Sequence, residues 1–402
     1  MSHRNDIGAA LRQEGTDFEA DASGKPSMNR DLWISAHLLR CPDHGGVPTV
    51  FVASGFADVW NAVVDAVHWA EHAGLPSVRV ALAEEVMSVS VNQDALATVA
   101  AAVAQPAVEL ATYSVNANGL VVKPYTWPAP NFGKHNDWAP LYEVRGSHSL
   151  PAVGVALAQA LSKSVPSFRW YRSLSEQGWS GRVAGLEFCR LDAPFAAIAF
   201  RDYKDRRHMP MRHFGVAELP ELCNLVQRVA ADRADPQHEL GKMELEHLLE
   251  SGIWREAVKL ASTGTSLAAI VDRHEPPLQV PALFGMADTR RSIDVVLRNG
   301  DVPWVVELKV KSAGQGEYYR HAIAQAVLYR HFVRTASSHS AWFAALGLAK
   351  EKCAAAVAIP ALEGRGSDVA SIRAALVRTA NLFDVQLVEL DSWPRLHAAC
   401  MS

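Results

Sequence analysis

The sequence predicts an α/β protein built from two domains, and three observations support this prediction. The chain has 402 residues, well beyond the roughly 100 to 150 residues of a typical single core. Apolar residues make up 49% of it and charged residues 20%, which is the balance of a globular chain and not of a disordered or fibrous one. Helical periodicity also alternates with short β-rich runs along most of the sequence.

The N-terminal part is predicted to be an arm followed by a domain. Residues 1–30 are polar and lack a helical or alternating apolar pattern, so we expect a flexible arm there. Residues 31–200 are predicted to form a mixed α/β domain for recognition or regulation. Its predicted helices are 57–73, 94–104 and 151–163, and its predicted strands are 47–53, 78–82 and 193–200.

The C-terminal part is predicted to form a second domain at residues 240–402, after a linker at 201–239. The linker prediction rests on the polar and basic run RDYKDRRHMPMRH and on the later run DRADPQHELGK, which flank a predicted helix at 218–231. The expected order beyond it is helix 243–261, strands 281–286, 292–298 and 303–311, helix 317–334, strand 353–359, helix 367–381 and strand 384–390.

Charge, cysteine content and missing motifs restrict the classes of function. The formal net charge is −4, so any nucleic-acid site has to be a local basic patch. Five scattered cysteines without a C-x-x-C pair disfavour a disulfide scaffold and a zinc site, and favour a cytoplasmic protein. We expect no signal peptide and no membrane segment. Motifs of nucleotide hydrolases, dinucleotide enzymes, zinc proteases and serine hydrolases are absent from the sequence.

The most informative stretch is SIDVVLRNGDVPWVVELKVK, residues 292–311. Asn299-Gly300 between two β-rich runs predicts a hairpin, because a tight turn needs residues that tolerate positive φ. With these two residues as the loop, Asp294 would lie opposite Val305. A four-residue loop would keep the same alternation of faces.

Strand alternation then puts two carboxylates and an ammonium on one face of the hairpin. Val305, Glu307 and Lys309 share a face, and Asp294 lies on it as well. Asp294 and Glu307 would be diagonal neighbours, at roughly 7 to 8 Å between Cα atoms. Such a cluster needs mutual pairing, a metal ion or water. An exposed face with a Glu–Lys ion pair is the alternative for this spacing taken alone.

Asp294 and the E-L-K triplet at 307–309, with twelve residues between them, resemble the signature of the PD-(D/E)XK nuclease superfamily. Gln325 and Tyr329, on the next predicted helix, resemble the Q-x-x-x-Y signature of its RecB-like branch, and their spacing puts them on one helical face. The resemblance covers about residues 240–390 and implies a restriction-endonuclease-like αβββαβ core. Ile293 stands where the superfamily often has proline.

The resemblance also implies a metal cofactor, Mg²⁺ or Mn²⁺. Asp294 and Glu307 would bind it, together with a carboxylate from the helix before the hairpin. Glu246 is the preferred candidate for that third ligand and Glu244 is the alternate, while a solvated helix residue is the other interpretation of both. Hard cations held by oxygen ligands supply the charge neutralisation that phosphodiester hydrolysis needs.

The remaining signature residues receive roles in the same way. Lys309 would stabilise the phosphate in the transition state or orient the attacking water. Gln325 and Tyr329 would steer the substrate or support the metal ligands. An ordinary amphipathic helix is the alternative interpretation of these last two residues.

A local basic window surrounds the signature. Between residues 290 and 334 there are eight basic and four acidic side chains, an excess of four positive charges within a chain of negative net charge. Such a patch is typical of nucleic-acid binding. The predicted nucleic-acid-binding residues are Arg291, Lys311, Arg320 and Arg330, and a solvated helix face is the alternative for each.

We therefore expect a cytoplasmic Mg²⁺-dependent nuclease, with DNA preferred over RNA because the RecB-like signature resembles DNA-processing enzymes. Bacterial defence and DNA repair are the processes that such an architecture suits. The alternative is a non-catalytic nucleic-acid-binding or scaffold protein that retains the nuclease fold. The N-terminal domain is the candidate surface for a protein partner or for homo-oligomer formation.

Overall fold

The protein is mixed α/β, and its structure is a computed structural model. It describes residues 4–20, 37–53, 59–88, 90–117, 119–125, 150–172, 178–192, 197–201, 212–262, 264–269, 280–282, 291–310, 316–335, 337, 340–362 and 367–402. The described helices are α1 Arg4–Gln13, α2 Asn61–Ala73, α3 Ser90–Ala101, α4 Ala152–Leu161, α5 Leu219–Ala234, α6 Leu245–Trp254, α7 Gly316–Thr335, α8 Ser340–Ala345, α9 Ser367–Leu382 and α10 Trp393–Met401. None of these described helices is both long and apolar enough to cross a bilayer.

The described strands form three main sheets. The first contains β1 Leu38–His44, β2 Val47–Val52, β3 Ser77–Ala83, β4 Ala107–Asn116 and β5 Gly119–Pro124. The second contains β6 Phe168–Arg172, β7 Gly178–Val183, β8 Leu186–Asp192, β9 Ile198–Phe200 and β10 Arg212–Phe214. The third contains β11 Leu260–Ser262, β12 Thr265–Ala269, β15 Val295–Asn299, β16 Val302–Leu308, β17 Ala354–Ile359 and β18 Gln386–Glu389. The short strands β13 Val280–Ala282 and β14 Arg291–Ile293 pair with each other.

In the first sheet, three parallel strands are flanked by two antiparallel edge strands. β2, β3 and β4 run parallel, and α2 and α3 connect them across one face. The opposite face is covered by α1, whose Ile7 and Leu11 are completely buried. The prediction of a flexible arm over residues 1–30 is therefore wrong for α1. Its apolar residues recur with helical spacing, a signal hidden by the polar residues around them.

The second sheet is an antiparallel meander, covered by α4 and α5. β10 and α5 both fall within residues 201–239, the predicted linker. Leu222 and Val226 of α5 are completely buried in the core of this sheet. Much of the predicted linker is thus packed structure, although residues 202–211 lie outside the described ones.

The third sheet holds the hairpin and is buried on both faces. β15 and β16 are antiparallel, whereas β16, β17 and β18 are parallel and are joined by α7 and α9. Val305 belongs to the core on one face of the sheet, and its neighbour Val306 belongs to the core on the other. Two predicted elements end differently from expectation: the helix predicted over 243–261 ends at Trp254, and the strand predicted over 292–298 is interrupted at Asp294.

One hydrophobic core joins the first sheet to the third. Helix α2, which crosses the first sheet, packs against α7 and α9 of the third, and residues such as Val63 and Phe332 belong to the same cluster. A second cluster joins the second sheet to the opposite face of the third. The predicted domain boundaries stay a prediction, but the described halves of the chain share their cores.

Candidate active site

The hairpin turn lies one residue later than the sequence predicted. Arg298 pairs with Pro303 and Asn299 pairs with Val302, so Gly300 and Asp301 form the loop. Gly300 has a φ of 60°, the left-handed conformation that glycine adopts at low cost. The side chain of Lys352 contacts that of Asp301 at 2.7 Å. The predicted pairing of Asp294 with Val305 is therefore wrong by two positions.

A shift of two positions preserves the face on which each side chain lies, because strand side chains alternate with a period of two. Val295 pairs with Val306, and one step further along the ladder brings Asp294 opposite Glu307. Asp294 lies in a bend directly before β15. Its Oδ2 accepts a hydrogen bond of 2.8 Å from the backbone N–H of Leu308. The structure thus brings Asp294 and Glu307 together as direct cross-strand neighbours.

Lys309 lies just beyond the end of β16 and pairs with two carboxylates. Its Nζ contacts Glu307 Oε1 directly and lies 3.7 Å from Glu246 Oε1. Glu307 is 1% exposed and Lys309 is 7% exposed, whereas Glu246 is only partly buried. Helix α6 therefore brings the preferred third carboxylate, Glu246, to the hairpin, while Glu244 is exposed at the start of that helix.

A further buried carboxylate at this site, Glu250, is absent from the sequence prediction. Glu250 is 3% exposed, and its negative charge contributes to raising the pKa of Asp294. Its two oxygens contact His247 Nδ1 at 2.8 Å and accept a hydrogen bond from Trp254 Nε1 at 3.2 Å. The signal was present in the sequence, since Glu246 and Glu250 are four residues apart on one helix and share a face.

The electrostatics of the cluster are those of several acids around one ammonium. Burial and then the charge of Glu307 raise the pKa of Asp294 well above its ordinary value. Burial also raises the pKa of Glu307, although Lys309 opposes this. Burial would lower the pKa of Lys309, but the charges of Glu307, Asp294 and Glu246 together raise it. The carboxylates of Glu307, Asp294 and Glu246 therefore all favour the charged form of Lys309.

The side chains of the cluster offer the type of ligand atom, carboxylate oxygen, that a hard divalent cation binds. Carboxylate oxygens from Asp294 and Glu307, with Glu246 nearby, are the ligands that Mg²⁺ prefers. In the described part of the chain, no group of three or more acidic, histidine or cysteine side chains is arranged to hold a metal ion. Mg²⁺ does not need such a cage, because it usually keeps several waters and binds one or two carboxylates plus phosphate oxygens. The residues fit a cation held in that open manner.

Gln325 and Tyr329 lie one turn apart on α7, which packs on β16 and β17. Tyr329 is 2% exposed and belongs to the same core cluster as Val305. Gln325 is partly buried. Both residues therefore lie on the helix that covers the Glu307 face of the sheet, and their roles stay predictions.

Two of the predicted nucleic-acid-binding arginines, Arg320 and Arg330, do not present their guanidinium groups at the surface. Arg320 is 1% exposed and its Nε lies 2.9 Å from Asp65 Oδ1. Arg330 is 6% exposed and donates to the carboxylate and carbonyl of Asp384. Both anchor α7 inside the protein, which corrects the prediction for them. Lys311 and the side chain of Arg291 lie outside the described residues.

The arrangement can hold a cation and place a lysine ammonium beside it. Asp294, in the bend before β15, and Glu307, in β16, offer carboxylate oxygens to a cation, and Lys309 offers a hydrogen-bond donor to an anion. Glu246 and Glu250 add carboxylates from α6. Comparison of the chain with models of protein families, with curated proteins and with solved structures gave no match.

Proposed function

We propose that the protein is a metal-dependent nuclease that hydrolyses phosphodiester bonds of nucleic acid. The observation that carries the proposal is the meeting of Asp294 and Glu307 as cross-strand neighbours with Lys309 in contact with Glu307. Burying this many ionisable groups costs stability unless they form ion pairs and hydrogen bonds with one another or with a ligand. Such expensive clusters with shifted pKa values occur preferentially at functional sites.

The cofactor of this proposal is Mg²⁺ or Mn²⁺, held by Asp294 and Glu307 with Glu246 as a further carboxylate. When bound, the cation supplies neutralisation of phosphate charge and lowers the pKa of a bound water. Glu307 has to be deprotonated to bind it, and the contact from Lys309 favours that form. Lys309 Nζ carries donors that can reach a non-bridging phosphate oxygen while it stays beside Glu307. Glu250 adds a further carboxylate from the adjacent helix α6.

The fold around the hairpin supports a restriction-endonuclease-like core as part of the same proposal. Helix α6 precedes the hairpin β15–β16, and α7 then crosses to the parallel strand β17. This is the order that the superfamily resemblance implies. DNA is proposed as the preferred substrate from that resemblance.

One observation favours a second function, a nucleic-acid-binding or scaffold protein without catalysis. Lys309 pairs with Glu307 and approaches Glu246, so an ammonium already offsets part of the carboxylate charge without a metal ion. In that case the ion pair would be a structural feature of the hairpin. The two functions make different predictions for cleavage.

A cleavage assay with matched variants tests the proposal. Single-stranded and duplex DNA and RNA are incubated with the full chain in Mg²⁺, Mn²⁺ or EDTA. Asp294→Asn and Lys309→Met are compared with Asp301→Asn and Lys352→Met, which remove the same charges from the exposed ion pair at the turn of the same hairpin. We expect metal-dependent cleavage that the first two variants abolish and the last two retain. Metal-independent binding without cleavage by the wild-type chain would support the second function.

A further inference from the structure

Strands β6 and β7 of the second sheet contact helix α6, which carries Glu246 and Glu250 of the carboxylate cluster. The hydroxyl of Tyr171, on β6, donates to Ser251 Oγ of α6 at 3.3 Å. At the turn after β7, Gly185 lies so close to α6 that a Cβ there would be 1.9 Å from the carbonyl oxygen of His247. The second sheet therefore lies directly beside the helix of the candidate active site.

Arg182 of β7 lies next to this contact, and two interactions fix its partly exposed side chain. Its Cζ lies 4.9 Å from the centre of the Tyr171 ring, and its Nε donates to Ser180 Oγ at 3.1 Å. The charge of Arg182 acts on both His247 and Glu250 of α6. Arg182 is therefore a cation held in place within electrostatic range of the cluster's helix.

The two terminal nitrogens of Arg182 donate to no acceptor in the described part of the chain. The two carboxylates that interact with it electrostatically direct their oxygens to other donors. Glu187 accepts from Ser180 Oγ at 2.6 Å and from Arg190 Nε at 2.7 Å. Both oxygens of Glu250 are engaged within α6. The pair of nitrogens that makes a bidentate contact is thus available to an acceptor from outside the chain.

A second arginine lies directly opposite Arg182 on the neighbouring strand. Arg169 of β6 is its cross-strand partner and is exposed. Arg169 Nη1 donates to the backbone carbonyls of Pro166 and Phe168, at 2.9 and 2.7 Å. Like charges directly opposite each other destabilise an antiparallel pair of strands, and an anion bound between them would offset that cost. Both arginines reach solvent, so such an anion can approach them at the protein surface.

We propose that Arg182 and Arg169 bind the phosphate backbone of the nucleic-acid substrate beside the cleavage site. The inference rests on the proposed function, because it names the surface that holds the same substrate. A guanidinium fork matches two phosphate oxygens, and Arg is the side chain best suited to that geometry. A strand with one phosphate at Lys309 would continue along β6 and β7. Phosphate contacts position a strand without reading its bases, so this surface should bind without sequence preference.

Binding is measured with the full chain in EDTA, by fluorescence anisotropy of labelled oligonucleotides of two unrelated sequences at several salt concentrations. Arg182→Met keeps apolar contact with Tyr171 and removes the charge and the fork. We expect it to weaken binding of both sequences at least about tenfold, the loss expected for a hydrogen bond to a charged group. The slope of log Kd against log salt concentration should fall by about 0.7 for a single strand and by about 0.9 for a duplex, the change for one phosphate contact.

Arg378→Met is the matched control, because it removes one positive charge from the exposed ion pair with Glu71, between α2 and α9. It should leave both the affinity and the salt slope unchanged, whereas Arg169→Met should lower the slope as Arg182→Met does. Arg182→Lys keeps the charge without the fork and should bind with intermediate affinity. Wild-type affinity and slope in Arg182→Met would contradict the proposal, as would a wild-type chain that binds no oligonucleotide. Should Arg182→Met fail to fold, wild-type binding by both Arg169→Met and Arg182→Lys would overturn it.

Cleavage in Mg²⁺ separates this inference from the proposed function. If both are correct, Arg182→Met should raise the KM for the oligonucleotide and leave kcat near the wild-type value, since the lost contact holds the substrate and the transition state equally. Wild-type cleavage together with an unchanged KM and unchanged binding in Arg182→Met would overturn the surface and leave the nuclease function intact. Binding that depends on Arg182 in a chain that cleaves nothing would retain the surface and overturn the nuclease function.

Discussion

Asp294 reaches across the hairpin to the backbone N–H of Leu308, and this contact fixes its carboxylate beside that of Glu307. Two acids that lie this close cannot both ionise without mutual repulsion, and each needs a cation or a proton. The ammonium of Lys309 contacts Glu307 and meets this need in part. From this relationship we expect the stability of the site to depend on pH and on divalent ions.

The raised pKa of Asp294 predicts how stability changes with pH in the absence of metal. The folded protein holds this proton to a higher pH than the unfolded chain does. Stability is therefore highest below the ordinary Asp pKa of about 4 and falls as pH rises towards the folded value. We expect urea unfolding in EDTA to show a smaller decline over this range for Asp294→Asn than for the wild type. An identical pH dependence in the two proteins would contradict the shift.

Divalent ions should reverse that loss of stability if they bind at the cluster. Mg²⁺ that binds the folded state at Asp294 and Glu307 would neutralise their carboxylates, so we expect it to raise the Tm of the wild-type chain at neutral pH. Asp294→Asn should lose most of this increase, whereas Asp301→Asn should keep it. An equal increase in both variants would place the ion elsewhere.

The two candidate acids at the start of α6 should behave differently. Glu246 lies 3.7 Å from Lys309, while Glu244 is exposed at the first turn. Glu246→Gln should raise the Mg²⁺ concentration needed for half-maximal cleavage by about 10- to 100-fold, the usual effect of losing a group that supports a metal site. Glu244→Gln serves as the control and should leave that concentration unchanged. A larger effect of Glu244→Gln than of Glu246→Gln would instead identify Glu244 as the residue that supports the metal site.

Asp65 is predicted to be essential for stability. It is completely buried between Arg320 and His321, and burial, which would raise its pKa, is outweighed by their positive charges, which hold it well below its ordinary value. Removing one partner of a buried pair costs about 3–5 kcal/mol, so Asp65→Asn should lower the free energy of unfolding by about that amount. This contribution is present above the ordinary Asp pKa and is lost as pH falls. The exposed pair of Glu71 and Arg378 provides the comparison, with a cost of below about 1 kcal/mol.

The turn between β7 and β8 is predicted to control the position of α6. Gly185 has a φ of 80°, and a Cβ there would lie 1.9 Å from the carbonyl oxygen of His247. Gly185→Ala should therefore push α6, with Glu246 and Glu250, away from the hairpin. We expect lower stability in urea and a further loss of cleavage under conditions where the variant is still folded. Gly300→Ala, at a turn with open space around it, should cost stability through backbone strain alone and retain the metal dependence of cleavage.

The sequence could predict the face shared by Asp294, Glu307 and Lys309 because strand periodicity is local. Strand periodicity does not determine the register of the hairpin, and the predicted register was wrong, since Asn299 pairs with Val302 instead of lying in the turn. Charge counting misassigned Arg320, whose partner Asp65 is 255 positions away. A pairing over such a distance in the chain leaves no periodic signal. Glu250 could have been predicted as a residue of the site, because its spacing of four residues from Glu246 places both on one face of the helix.

Helix α7 is enclosed between the first and third sheets, with α2 on one side and β16 and β17 on the other. Removal of residues 1–124 would therefore strip the apolar cover from the helix that carries Gln325 and Tyr329. Without these residues the hydrophobic core around α7 is incomplete, and we expect the C-terminal half to aggregate or unfold when it is expressed by itself. The first sheet thus supports, through α2, the helix that packs on β16 and β17, and we expect the two halves to unfold as one cooperative unit.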